Sequence, residues 1–70
     1  MHAKVIELVG ESETSWKDAV RSAIREASKT VGNITGVEVL NLTTNVVHGD
    51  IMEYKANVKI AYADGDKGGL

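Results

Sequence analysis

The sequence predicts an α+β fold: a three-stranded antiparallel sheet wrapped around one helix, in the order strand, helix, strand, strand. Three observations carry this. Residues 14–31 hold one apolar stripe at helical spacing, made by Trp16, Ala19, Val20, Ala23, Ile24, Ala27 and Val31. Residues 52–62 alternate strictly, with Met52, Tyr54, Ala56, Val58, Ile60 and Tyr62 set against Glu53, Lys55, Asn57, Lys59 and Ala61. A period of two sustained that long marks a half-buried antiparallel strand. Two further segments rich in branched residues, 3–9 and 34–42, precede and follow the helix.

The first strand places Lys4 and Glu7 on opposite faces, so both sides are partly covered, and Gly10 is expected to end it. Ser12, Thr14 and Ser15 supply helix-start chemistry, and Ser15 with Asp18 fits a capping box. Glu13 and Asp18 near the start and Lys29 near the end suit the helix dipole. Lys17, Asp18, Arg21, Arg25, Glu26 and Lys29 lie on the face opposite the stripe. The three alanines of the stripe allow a sheet to approach closely. Gly32 followed by Asn33 reads as a left-handed cap and stop.

In the second strand the alternation slips at Leu40, where a bulge or bend is expected. Residues 44–50 form a connection whose tight-turn pair is expected at Gly49-Asp50. The pattern is lost at the end, so residues from about 64 read as a tail. The last two strands make a hairpin; if the third strand lies between the other two, all neighbours are antiparallel and the crossover is right-handed. One sheet face covers the helix; the other carries Glu53, Lys55, Asn57 and Lys59 and faces water or another subunit.

Seventy residues make a single domain over 1–70. A chain of this size buries only roughly 60% of its unfolded surface. There is no cysteine for a disulfide staple, and two isolated histidines do not make a structural zinc site. Self-association is the remaining remedy, and a lone chain is expected to be poorly stable. The net charge of −2 argues against nucleic acid as a partner, because phosphate binding needs a basic surface. No segment approaches a membrane span or a signal peptide, so no membrane partner and a cytoplasmic setting are expected.

Five stretches, in order and spacing, resemble one family. They are Lys-Val-Ile-Glu-Leu-Val-Gly at 4–10, Ser-Trp-Lys-Asp-Ala at 15–19, Ala-Ser-Lys-Thr-Val at 27–31, Val-Glu-Val at 37–39 and Glu-Tyr-Lys-Ala-Asn-Val-Lys-Ile-Ala-Tyr at 53–62. Together they resemble the dodecins over residues 3–63. The resemblance implies a hollow shell of twelve identical subunits. It implies flavin ligands such as riboflavin, FMN or FAD, bound in pairs at twofold contacts and stored or sequestered rather than transformed. It places ligand-binding positions at Gly36, Val37 and Glu38 on the second strand, at Asn45 after it, and at Lys55 on the third.

The sequence departs from the family pattern at three of these. Gly36 stands where flavin-binding dodecins stack a tryptophan, Lys55 where a glutamine meets the ring edge, and Asn45 where an acidic residue is common. Stacking on an aromatic is worth roughly 1–3 kcal/mol per ring, so flavin should bind this chain less tightly than it binds aromatic-walled dodecins. The alternative is a shell that has lost flavin and serves as a structural or ion-binding assembly, with Glu38 and Glu53 meeting near a symmetry axis around a cation.

Other residues read more plainly. Trp16 continues the core stripe and is expected in the core or a subunit contact rather than as a ligand platform. His48 beside Gly49 and Asp50 reads as an ordinary turn histidine. No nucleophile has a visible base, no diagnostic carboxylate pair appears, and no glycine-rich phosphate loop follows a strand, so no catalytic activity is expected.

Overall fold

The computed structural model describes residues 2–64. Its elements are β1 (His2–Ser12), α1 (Trp16–Ala27), β2 (Ile34–Val47) and β3 (Asp50–Asp64). The sheet order is β1-β3-β2, with β3 central and antiparallel to both neighbours. The α+β order read from the sequence is the observed one. Ala63 and Asp64 still pair with β1; the rest of the expected tail, residues 65–70, lies outside the described residues.

β1 does not end at Gly10. It runs on to Ser12, with Gly10 opposite Ala56. The glycine is there for proximity. A Cβ at this position would overlap the Ala19 carbonyl oxygen and lie 2.8 Å from the Ala23 nitrogen and 2.9 Å from its Cβ. With Ala19, Ala23 and Ala27 all buried on the facing side of α1, helix and sheet meet nearly backbone to backbone. Ala56, Val58 and Ile60 of β3 complete the core, and Ile6, Leu8, Val20, Ile24 and Tyr54 pack around it.

The helix is shorter than its apolar stripe. Ser15 is the N-cap and its Oγ accepts from the Asp18 amide at 3.0 Å. The reciprocal half of the capping box is absent. The Ser12 Oγ accepts from the Ser15 amide at 3.3 Å and donates to Asp18 Oδ2 at 2.9 Å, so a buried serine at the end of β1 takes the carboxylate that sequence spacing aims at Ser15. At the other end Thr30 N and Val31 N both bond to the Ala27 carbonyl, each at 3.0 Å, tightening the chain out of helix. Asn33 rather than Gly32 adopts the left-handed conformation, with φ 55°, and its carbonyl accepts from Ala63 N at 3.0 Å. Asparagine tolerates that region, and the bond aligns the start of β2 beside β3.

β2 and β3 form one long hairpin. β2 continues through residues 44–47, so the connection is only His48-Gly49, at φ 51° and 82°. That is the two-residue turn with both central residues left-handed, one position earlier than Gly49-Asp50. The slip at Leu40 is a bulge: Val39 faces Val58 and Asn41 faces Asn57, leaving Leu40 as the extra residue. Two further irregularities leave Thr35, near the start of β2, and Met52, near the tip, without direct partners.

The twelve-residue helix spans about 18 Å, whereas the molecule is 54 Å long. α1 lies over β1 and β3 and barely meets β2. Val39 and Leu42 face the helix side yet remain 44% and 48% exposed. Met52, expected in the buried row, is 54% exposed for the same reason.

Candidate functional site

Side chains opposite one another across an antiparallel pair share a face, so the register decides which residues meet on the outer face of the sheet. Gly36 lies opposite Ala61, Glu38 opposite Lys59, Thr43 opposite Lys55 and Asn45 opposite Glu53. All of these belong to the outer face. Val37 does not: it pairs with Ile60 and packs against the core. Its side chain is on the helix side, and only its backbone is open to the outer face.

The remaining four positions form two groups. At the hairpin end, Asn45 Nδ2 donates to Glu53 Oε1 at 2.8 Å, and the same oxygen lies 3.8 Å from Lys55 Nζ. The Lys55 and Glu53 side chains are 33% and 29% exposed. Glu53 thus holds Asn45 and Lys55 together, a role the sequence did not assign to it; cross-strand register was the missing signal. At the other end, Gly36 opens a gap. A Cβ there would meet nothing within 4 Å, and its φ is not left-handed.

Along β3, six residues separate Lys55 from Ala61, the partner of Gly36. At about 3.3 Å per residue the groups stand about 20 Å apart. Glu38 and Glu53 are separated by a similar span, through Lys59. One chain therefore does not bring the two groups onto a single small ligand or ion. Among the described residues no three His, Cys, Asp or Glu side chains cluster as a metal site, and no helix is long and apolar enough to cross a membrane.

Trp16 stands on the other side of the sheet. Its Nε1 donates to the Thr43 carbonyl at 3.1 Å, and its ring meets Tyr54 edge-on with centroids 5.0 Å apart. The indole ties the start of α1 to β2 across the end of β3, while 37% of the residue stays exposed. His48 occupies the turn itself.

A family model described as Dodecin matches residues 3–64. The chain belongs to the dodecin family. Its members are self-associating small-molecule-binding proteins, and the fold agrees with solved dodecins. Dodecin from Streptomyces coelicolor superposes with a TM-score of 0.87 at 24% identity, covering 94% of each chain. A mutant of Thermus thermophilus dodecin gives 0.87 at 26% identity, over 94% of this chain and 97% of that one. The calcium-chelating immunodominant antigen of Mycobacterium tuberculosis, calcium dodecin, gives 0.78 at 27% identity over the whole of both chains. No curated protein matches.

Proposed function

We propose that this dodecin works in the cytoplasm as a closed homo-oligomer of twelve chains that stores or sequesters a flat small molecule, a flavin such as riboflavin, FMN or FAD, without transforming it. The observation that carries this is the division of the outer face. Gly36 and Glu38 sit at one end and Asn45 and Lys55 at the other, about 20 Å apart. A twofold contact sets the first end of one chain against the second end of its neighbour and so completes two equal sites. The gap above Gly36 leaves room for a ring, and Lys55, steadied by Glu53, offers a cation to ring carbonyls or phosphate.

A second reading follows from the same contact. It would set Glu38 of one chain near Glu53 of another, a carboxylate pair suited to a hard cation, and a solved relative is a calcium-chelating dodecin. In that reading the shell holds ions or serves structure alone.

Riboflavin titration separates the two. The storage reading expects quenching of flavin fluorescence with saturation near one flavin per chain, in a particle whose light-scattering mass is near twelve chains. A twelve-chain particle that leaves flavin emission unchanged but binds calcium would replace it with the second reading.

A further inference from the structure

An open hollow of about 390 Å³ lies on the outer sheet face, bounded by Glu7 and Val9 on β1, Leu40 and Asn41 on β2, and Asn57 on β3. Its volume falls within the range of small-molecule sites, about 300–1,000 Å³. It lies midway along the face, between the Gly36 end and the Lys55 end. The bulge is tied to it: Leu40 is the extra residue, which sets Asn41 directly opposite Asn57. There Asn57 Nδ2 donates to Asn41 Oδ1 at 2.6 Å.

Each carboxamide offers two donor hydrogens and an acceptor oxygen. The mutual bond therefore leaves the Asn57 carbonyl and the Asn41 amino group to spare, close together on one surface. Turning both amides over leaves the same result, one spare donor near one spare acceptor. Val9 and Leu40, both exposed, give the hollow apolar sides. Glu7 at the rim stands opposite Lys59 of β3, so that edge of the hollow holds one charge of each sign.

We propose that this hollow binds the lactam or imide edge of a flat, uncharged heterocycle. The ring N–H donates to one carboxamide oxygen, and an adjacent ring carbonyl accepts from the other carboxamide. Val9 and Leu40 lie against the ring. Where the heterocycle is a flavin, the inference rests on the storage reading above. It then assigns to Asn41 and Asn57 the imide N–H, which the Lys55 ammonium, a donor with no acceptor, cannot receive.

The test is calorimetric titration of the full chain and of Asn57→Ala with three probes: riboflavin, 3-methylriboflavin (whose ring N–H is blocked) and lumazine, a smaller ring with the same imide edge. The expected result is that Asn57→Ala weakens riboflavin roughly five- to tenfold, as for the loss of one or two neutral hydrogen bonds. 3-Methylriboflavin should lose a similar factor against the unmodified protein, which holds even if the variant folds poorly. Riboflavin binding that is indifferent both to N3 methylation and to Asn57→Ala overturns the inference while leaving flavin storage intact. If riboflavin does not bind at all, the storage reading fails separately and lumazine decides. Millimolar binding that Asn57→Ala abolishes supports the hollow as an imide site; no heat above dilution overturns it.

Discussion

At Gly36 the missing side chain is a choice of residue and not a demand of the backbone. The torsion is not left-handed, and a side-chain carbon would stand in open space on the outer face. Substitution there carries neither the strain of positive φ nor a clash. Gly36→Trp should therefore fold as the parent does and strengthen riboflavin binding by roughly 1–3 kcal/mol per stacked ring. Parallel fluorescence-quenching titrations of both proteins measure this. Equal affinities would mean that no flavin ring passes over position 36. Lys55 illustrates the converse limit of residue-level reading. Its identity marks it as a cation, but its cross-strand neighbours place it beside a carboxylate that also binds Asn45.

Among the elements, the contact between β1 and α1 is the most constrained. Gly10 stands under the backbone of Ala19 and Ala23, and no flexible side chain is available to give way. Gly10→Ala must push the helix off the sheet, and Ala23→Leu overpacks the same seam; each should cost about 1–3 kcal/mol. Thermal melts at matched protein concentration should show both variants melting below the parent. A parent-like melt for Gly10→Ala would show that helix and sheet do not meet there. Local pattern made the stripe, the eleven-residue alternation and the Leu40 slip visible. The turn at His48-Gly49 was missed by one residue because histidine is not among the residues that dominate turns, whereas glycine and aspartate are.

For the whole molecule, the decisive feature is that the hairpin outruns the helix. Val39, Leu42, Val46, Ile51 and Met52 leave an apolar surface that α1 does not cover. A chain with so small a core of its own gains most by burying that surface against copies of itself. The double substitution Val46→Asp, Ile51→Asp alters residues exposed in the single chain, so it should leave β1, α1 and β3 formed while blocking association. Light scattering at micromolar concentration should fall well below the parent mass, with helical circular dichroism retained or only weakened. An undiminished mass would assign assembly to another face.

Residue spacing by itself determined the order of elements and the buried stripe of α1, because periods of 2 and 3.6 are local properties of a chain. The family came through resemblance, and the central place of β3 from the strand pairing. Resemblance also named Gly36, Glu38, Asn45 and Lys55 as positions of interest. Only the tertiary structure decided how they stand to one another. The bulge at Leu40 and the register with β3 put Val37 on the core side, joined Asn45 to Lys55 through Glu53, and held Gly36 at the far end of the face. Ser12 took the Asp18 carboxylate, and Gly10 became a seam rather than a stop. Each of these depends on which backbone lies beside which, and a one-residue change of register sends a side chain to the opposite face.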